Sequence, residues 1–204
     1  VVAWGGNSEG QSDVPAELTD VASVTAGSSH TVVLKSDGTV AAWGSDFLQG
    51  LTDVPAGLSG VVMVAGGGWH SVALKSDGTV VGWGHNFEDQ ADVLAGLRDV
   101  VAVAAGGDDA GADHTATLKS DGTVEVWGDT RHGETDVPVG LGDVSTVAVG
   151  GYHSVALKSD GTVMAWGSNQ YGQIEVPTGL SGVVAVAAGF AHTIALKSDG
   201  TVEA

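Results

Sequence analysis

The sequence lacks features that define several common classes of protein. It has no cysteine, which excludes disulfide bonds and thiolate metal sites. Only seven residues are Lys or Arg against 25 Asp and Glu, and a net charge of −18 leaves no basic patch for the phosphates of nucleic acid. No apolar run approaches the ~18 residues of a membrane span. We therefore expect neither nucleic acid nor a membrane as a partner.

Glycine, in contrast, is abundant. There are 33 Gly and four Pro in 204 residues, together with many Val and Ala, which is typical of short strands joined by tight turns. The N-terminus shows no basic region followed by an apolar core, so no signal peptide is predicted. The composition therefore predicts an all-β protein.

One heptapeptide, Leu-Lys-Ser-Asp-Gly-Thr-Val, occurs five times without variation. A His precedes each Lys by five residues, at His30, His70, His114, His153 and His192. A Trp-Gly follows the heptapeptide in the first four copies, and the chain has tryptophans at 39- to 44-residue spacing at Trp4, Trp43, Trp83, Trp127 and Trp166. This period indicates a repeat array that forms a single domain over residues 1–204.

Each repeat can be interpreted as four strands, which in the fourth repeat are predicted at 144–149, 153–159, 162–166 and 174–177. Asp160-Gly161 predicts a type I′ hairpin between the second and third strands. A sheet of ~40 residues cannot bury both of its faces alone, so the units must stack, and radial stacking gives a β-propeller. The predicted architecture is a β-propeller of five four-stranded blades.

The repeat unit resembles a known family. Its pattern Gly-x-x-His-x-x-x-Leu-Lys-Ser-Asp-Gly-Thr-Val-x-x-Trp-Gly, followed by Gly-Gln and Val-Pro, is similar to the regulator of chromosome condensation repeat over essentially all of the chain. Val-Val-Ala-Trp-Gly-Gly-Asn at 1–7, Gly-Gln at 10–11 and Val-Pro-Ala-Glu at 14–17 look most like the bacterial branch, in which secreted propellers inhibit class A β-lactamases. The resemblance implies a non-enzymatic, secreted or cell-surface protein. Such relatives usually have seven blades, whereas five units are present here.

Both ends of the chain carry the sequence of a third strand, because residues 1–4 and 202–204 each align with residues 40–43. In one interpretation the ring is closed, and residues 1–16 complete the blade whose first two strands lie within 183–198. This arrangement removes exposed sheet edges and predicts a monomer. In the other interpretation the chain is part of a longer array with two open edges, which allows a dimer. We adopt the closed ring as the prediction.

Topology divides the loops between two faces of the propeller. The Asp-Gly hairpins and the Val-Pro-x-Gly-Leu connections share an invariant face, whereas the loops after the first and third strands share a variable face, on which function is expected. The variable loops carry the aromatic residues Trp69, Tyr152, Phe190, Phe47, Phe87 and Tyr171. Exposed aromatics on one face predict a binding surface, although some of these rings could simply cap the blade ends. In the inhibitors, loop residues at these two positions contact the enzyme, and the resemblance implies the same role here.

The variable face is also predicted to be acidic. Its loops carry Glu9, Asp46, Glu88, Asp89, Asp108, Asp109, Asp113, Asp129 and Glu134, with Arg131 as their cation. Such a surface would steer a positively charged partner, so we expect a protein with a basic surface. The predicted partner-binding set therefore also includes Asp108, Asp109 and Arg131. Each of these residues, taken singly, could equally be an ordinary solvated loop residue.

Other chemistry is less well supported by the sequence. The five repeat His could form a metal ring, but an identical position at the start of each strand favours a hydrogen bond to the backbone. The acidic insertion at 106–113 could bind calcium, yet it lacks the spacing of an EF-hand. We interpret the tryptophans of the Trp-Gly pairs as residues that pack between blades and not as residues that stack on a ligand. We predict no catalytic residue, metal or cofactor, and the alternatives to protein binding are a carbohydrate-binding propeller or a structural fragment.

Overall fold

The computed structural model describes residues 1–45, 50–108 and 111–204. Within them, fifteen strands form five antiparallel sheets of three consecutive strands each. The inner strands are β1 Val21–Ala26, β4 Val61–Gly66, β7 Val100–Gly106, β10 Val144–Val149 and β13 Val183–Ala188. The middle strands are β2 His30–Lys35, β5 His70–Lys75, β8 His114–Lys119, β11 His153–Lys158 and β14 Thr193–Lys197. The outer strands are β3 Val40–Gly44, β6 Val80–Gly84, β9 Val124–Gly128, β12 Val163–Gly167 and β15 Val202–Glu203.

The sheets stack face to face, and the core lies between successive sheets. Inner strands of neighbouring sheets contact one another in the order β1, β4, β7, β10 and β13. Middle strands β2, β5, β8 and β11 are buried along all but their last residue, because neighbouring sheets cover their faces and, in the case of β2, the segment before β1 covers one of them. This burial explains why the middle strand has continuous apolar and β-branched sequence in place of strict alternation.

Every inner strand begins with the same irregularity. The register against the middle strand shifts by one residue near its start, as between Val144 and Thr146, which is the signature of a β-bulge. The residue before the strand has a positive φ, 56° at Asp143 and 68° at Gly182. The carbonyl oxygen of Asp143 accepts a 2.8 Å hydrogen bond from the Ser159 backbone N–H, so each connection is tied to the Asp-Gly hairpin beside it.

The Asp-Gly hairpin is not the predicted type I′ turn. Gly161 has a φ of 82°, but Asp160 is not among the residues with positive φ, and a type I′ turn needs positive φ at both positions. Gly161 N–H donates to the Lys158 carbonyl, which is typical of a type I turn followed by a left-handed glycine. The Asp160 side chain stabilises this form by accepting hydrogen bonds from the backbone N–H and hydroxyl of Thr162.

The predicted fourth strand is also not formed in the described part of the chain. Residues 174–177 lie in local turns, where Val176 N–H donates to the Ile174 carbonyl and Leu180 N–H donates to the Pro177 carbonyl. These short-range bonds use backbone groups that a sheet ladder would need. The equivalent segments instead pack apolar side chains between two sheets, as Val54 and Leu58 do against the cluster that contains Trp83.

The predicted closure by residues 1–16 is not formed either. The third strand of the last sheet is β15, which follows β14 in sequence, whereas residues 1–20 contain no strand. Residues 1–4 lie beside the first sheet, where they line a cavity with Val24, Ala26 and His30. The entropy of loop closure explains why β15, and not the N-terminal segment, pairs with β14. A strand joined by a short hairpin loses less chain entropy on pairing than one nearly 200 residues away.

Candidate functional site

The loops between inner and middle strands gather around one central cavity of about 670 Å³. All five sheets contribute to its lining, through residues 26–28, 66–68, 105–108, 149–151 and 188–190. The lining is rich in glycine and alanine, because five chain segments approach one another closely there. The variable loops of the sequence therefore surround the mouth of a shared cavity.

The glycine of the Gly-x-x-His pattern is required by close packing at this cavity. A Cβ placed on Gly150 would lie 2.4 Å from Cε1 of His153 and 2.5 Å from the carbonyl oxygen of Gly189 in the next sheet. A Cβ on Gly27 would lie 2.2 Å from Cε1 of His30. Only glycine therefore leaves room for both the imidazole and the neighbouring backbone.

The repeat histidines join one sheet to the next. Their Nε2 atoms hydrogen-bond to hydroxyl groups of the following sheet, His30 to Ser71 (2.8 Å), His70 to Thr115 (2.8 Å), His114 to Ser154 (3.0 Å) and His153 to Thr193 (2.9 Å). Thr193 Oγ1 donates its own proton to the Gln173 carbonyl, so it accepts from the imidazole. The partner is therefore a side-chain hydroxyl, and the expected bond to backbone was wrong.

Burial keeps three of these imidazoles, those of His30, His114 and His153, neutral. It lowers the pKa of His30 and His153 to about 4 and that of His114 to about 3, so each ring carries one proton at pH 7. The Nδ1 atoms of His30, His70, His114 and His153 are buried without a hydrogen-bond partner. No group of three or more potential ligands from His, Asp and Glu converges in residues 1–45, 50–108 and 111–204.

One of the repeated histidines and one of the repeated tryptophans differ from the others in their exposure. His192 is exposed, whereas the other four repeat histidines are buried. Trp4 is 85% exposed, whereas Trp43, Trp83, Trp127 and Trp166 are at most 9% exposed. The structure thus places His192 and Trp4 outside the packed repeat interior, at the two ends of the array.

The predicted acidic surface is smaller than expected, because several of its carboxylates are buried. Asp108, Asp113, Asp129 and Glu134 are at most 6% exposed, and they accept hydrogen bonds from backbone N–H groups of their own or neighbouring loops. Tight loops leave such N–H groups without backbone partners, and carboxylate oxygens satisfy them. Glu9, Glu88 and Asp89 remain exposed. Asp46, Phe47 and Asp109 lie outside the described residues.

Arg131 is held by a buried carboxylate. Its Nε donates to Oδ2 of Asp129 at 2.7 Å, and its guanidinium also reaches the Gly111 carbonyl at 3.4 Å. Burial opposes the charge of Asp129, but the bonds from Arg131 still lower its pKa. In Glu134 burial is the larger effect and raises the pKa. Arg131 therefore links the second loop of the third sheet to the insertion.

The insertion in the first loop of the third sheet is anchored on the second sheet. Asp113 Oδ2 accepts a 3.0 Å hydrogen bond from Trp69 N–H and lies 3.4 Å from Nε2 of Gln90. Gly68 leaves room for this contact, since a Cβ there would lie 2.3 Å from Asp113 Oδ1. The insertion thus fixes the position of Trp69.

The aromatic residues form two clusters on these loops. In the first cluster, Trp69 contacts the ring of His85 edge-on with centroids 5.4 Å apart, and His85 contacts Phe87 at 4.6 Å. In the second, Tyr152 lies between His132 at 4.9 Å and Phe190 at 5.3 Å. A cleft of about 170 Å³ is lined by the second cluster together with Ser168, Gln170 and Tyr171.

The two clusters differ in which rings reach solvent. Phe87 and Tyr171 are 72% and 70% exposed, and Phe190 is 53% exposed. Trp69 and Tyr152 are only partly exposed. The Tyr152 hydroxyl donates to Asp108, which raises the pKa of Tyr152 to about 12 and ties the loops of the third and fourth sheets together.

Several residues that build this surface were not predicted as site residues from the sequence. His85 and His132 complete the aromatic clusters, and Gln90 is fully buried beneath them, as is Glu134, which the sequence had placed on the acidic surface. A signal was present, because a Gln or Glu recurs in the second loops and accepts the backbone N–H two residues before it, as Gln173 does from Tyr171. That recurrence marks a loop-closing residue.

Comparison with known proteins supports the architecture. Three segments, 21–47, 61–90 and 144–173, match the model of the regulator of chromosome condensation (RCC1) repeat. The structure superposes on Prp20p from Saccharomyces cerevisiae with a TM-score of 0.71, at 23% identity over 93% of this chain. The chain has an RCC1-like propeller fold. The propeller matched here covers 57% of Prp20p, so it spans little more than half of that protein.

Two further structures show the same fold. Yeast RCC1 (Prp20) in its complex with Kap60 gives a TM-score of 0.73 at 22% identity, covering 93% of this chain and 56% of that one. The CRINKLY ectodomain of the Arabidopsis thaliana receptor kinase ACR4 gives 0.69 at 19% identity, covering 97% and 70%. A search of curated proteins found no sequence match. In the described part of this RCC1-like propeller, no helix is long and apolar enough to cross a membrane.

Proposed function

We propose that this chain is a non-enzymatic propeller that binds another protein through the loops around its central cavity. The observation that carries the proposal is a continuous run of contacts between these loops, from Phe87 and His85 through Trp69 to the insertion, and from Asp108 through Tyr152 to Phe190. These contacts fix loops from four sheets relative to one another, so the surface is organised before any partner binds.

The exposed rings give the surface its binding chemistry. Phe87, Tyr171 and Phe190 offer apolar area on rigid side chains, which is the composition of the residues that dominate protein interfaces. The proteins of similar fold include Prp20p, whose structure was described with its binding properties to Gsp1p and histones, and yeast RCC1 bound to Kap60. Protein binding is thus compatible with this fold.

The charge of the chain favours a basic partner. The net charge is −18, and Arg131 on the loop face is already paired with Asp129, while Glu88 and Asp89 are exposed. Such a surface attracts a positively charged partner at a distance. The association rate should therefore fall as the salt concentration rises.

The resemblance to bacterial inhibitor propellers suggests a class A β-lactamase as the first candidate partner to test. A class A β-lactamase would be inhibited if the aromatic loops covered its active site, and hydrolysis of a chromogenic β-lactam in the presence of this protein measures that directly. Lack of inhibition would exclude class A β-lactamases as the partner. The partner would then be sought by affinity capture.

The surface itself is tested with a double variant, Tyr171→Ala with Phe190→Ala. Binding of the captured partner should weaken by about 10- to 100-fold in calorimetry, because two exposed anchors are lost. The matched control is Val139→Ala, which removes a fully exposed apolar side chain from the connection between the third and fourth sheets, on the Asp-Gly hairpin face. Unchanged affinity of the double variant would disprove the surface. Binding on a glycan array with no captured protein would favour a carbohydrate ligand.

A further inference from the structure

The cleft of about 170 Å³ on the loop face has walls made mostly of aromatic rings. Four of its six lining residues are His132, Tyr152, Tyr171 and Phe190. The ring planes of His132 and Phe190 are inclined to that of Tyr152 by 66° and 71°. Rings at such angles form a concave site and not a flat patch. Its volume is below the ~300 Å³ at which sites for drug-sized ligands begin, so the cleft suits a single side chain.

Hydrogen bonds fix the walls of the cleft before any ligand binds. The Tyr152 hydroxyl donates to Asp108, which holds the ring in place. The backbone N–H of His132 donates to Oε2 of Glu134 at 2.7 Å, and that of Tyr171 donates to the Gln173 side chain at 2.9 Å. A ligand therefore meets an organised site and does not have to order the loops that form it.

A buried acidic side chain lies behind the His132 wall. Glu134 is fully buried, and its Oε1 has no hydrogen-bond partner but lies 3.6 Å from Nδ1 of His132. Burial raises the pKa of Glu134, so its surroundings oppose the charged form. A positive charge in the cleft would offset this cost. The site behind the rings therefore favours a cation over a neutral apolar group.

The lining of the cleft supplies no such cation itself. None of its six residues is Lys or Arg. Arg131 is engaged elsewhere, with Asp129 and the Gly111 carbonyl, and all five lysines belong to heptapeptides at the opposite ends of the strands. The faces of aromatic rings carry partial negative charge and attract cations, and Ser168 and Gln170 add side-chain oxygens that can accept from an ammonium group.

We propose that this cleft binds the ammonium group of a lysine side chain on the partner protein. The rings surround the ammonium, Glu134 supplies negative potential from behind His132, and the oxygens of Ser168 and Gln170 accept its protons. Lysine fits the narrow site because its compact charge is carried on an unbranched stem that packs along apolar surface. The inference rests on the proposed function, since it specifies which residue of the partner the loop face recognises.

The probe is Nα-acetyl-L-lysine N-methylamide, titrated into the 204-residue protein and observed through the amide resonances of residues 132, 152, 170 and 171. The comparison compound is its carbon isostere, in which a methyl group replaces the ammonium. The isostere should bind at least about fivefold more weakly, because it keeps the apolar contact and loses the attraction between cation and rings. Equal or tighter binding of the isostere would overturn the proposal and make the cleft a site for an apolar side chain.

Variants separate the ring faces from simple apolar area. Tyr171→Leu keeps an apolar side chain without a ring and should raise the dissociation constant of the lysine amide by about 3- to 10-fold, whereas Tyr171→Phe should leave it unchanged. Phe87→Leu is the matched control, because Phe87 is as exposed as Tyr171 and lies in the other aromatic cluster. Wild-type affinity in Tyr171→Leu would contradict the proposal.

The carboxyl group of Glu134 gives an independent measurement. Saturation with the lysine amide should lower the pKa of Glu134, followed through its side-chain carboxyl resonance, because a nearby cation favours the charged form. Glu134→Gln keeps an acceptor for the His132 N–H and should weaken binding of the lysine amide but not of the isostere. An unchanged Glu134 titration would overturn its part in the site.

The small-molecule probe keeps this inference separate from the proposed function. If the lysine amide fails to bind while Tyr171→Ala with Phe190→Ala still weakens binding of a captured protein, lysine recognition is wrong and the protein-binding surface stands. If the lysine amide binds as expected but affinity capture yields no protein, the result counts against the proposed function alone.

Discussion

At the scale of single residues, the repeated Gly, His and hydroxyl form one unit of packing. Gly150 leaves space for the His153 ring, and that ring donates to Thr193 in the following sheet. The sequence contained the necessary signal, because Ser or Thr directly follows each repeat His. What it could not show is that the bond spans about 40 residues to the next His-Ser or His-Thr pair. Spatial adjacency of successive sheets decides that, and local sequence does not.

The glycine can be tested directly. Gly150→Ala should lower the free energy of unfolding by about 1–3 kcal/mol, because its Cβ would overlap both the imidazole of His153 and the Gly189 carbonyl. Urea unfolding of the pure variant measures the loss. Gly142→Ala is the matched control, since its added Cβ meets nothing within 4 Å and its φ is not positive. Equal stabilities of the two variants would show that the Gly-x-x-His packing is not tight.

At the scale of elements, the strands were predictable and two features of their connections were not. The inner, middle and outer strands of the fourth repeat lie within about one residue of their predicted bounds. The type I′ turn and the fourth strand were wrong, since the Asp160 side chain and short-range turns satisfy the backbone there. Hydrogen bonds from a side chain to its own loop compete with regular pairing, and strand periodicity does not reveal them.

The insertion of the third sheet offers a prediction at this scale. Asp113→Ala should cost about 1–3 kcal/mol of unfolding free energy, because Trp69 N–H and Gln90 would lose a buried acceptor. It should also weaken partner binding by releasing Trp69 and the insertion from each other. Calorimetric melting and a binding titration measure the two effects. Glu88→Ala, at an exposed acidic position of the neighbouring loop, is the control and should leave the melting temperature near that of wild type.

At the scale of the whole molecule, the repeat period predicted the stacked sheets. It did not decide which of two segments with similar sequence would form the third strand of the fifth sheet. Residues 1–4 and 202–204 have nearly the same sequence, and the hairpin-linked strand forms β15. The result is an array with an exposed Trp4 at one end and an exposed His192 at the other. The candidate surface was predictable as a set of loops, whereas the burial of Asp108 and Glu134 depends on contacts between loops that sequence does not specify.

The buried histidines make the stability of the whole array depend on pH. The pKa of His30 and His153 is about 4 and that of His114 about 3 in the folded protein, against 6.5 for an unperturbed imidazole. The unfolded chain therefore binds more protons than the folded one between about pH 6.5 and 4. Stability should be complete above pH 6.5 and decline as the pH falls through this window.

Urea unfolding at a series of pH values checks this dependence. Each histidine that is protonated only on unfolding adds about 1.4 kcal/mol per pH unit to the slope between pH 6 and 4.5. His153→Gln should remove one such contribution, because the amide carries no titrating proton. His192→Gln is the matched control, since the His192 ring is exposed at the end of the array, and it should preserve the slope. A slope that His153→Gln leaves intact would mean that acid destabilises the propeller through groups other than the histidines between its sheets.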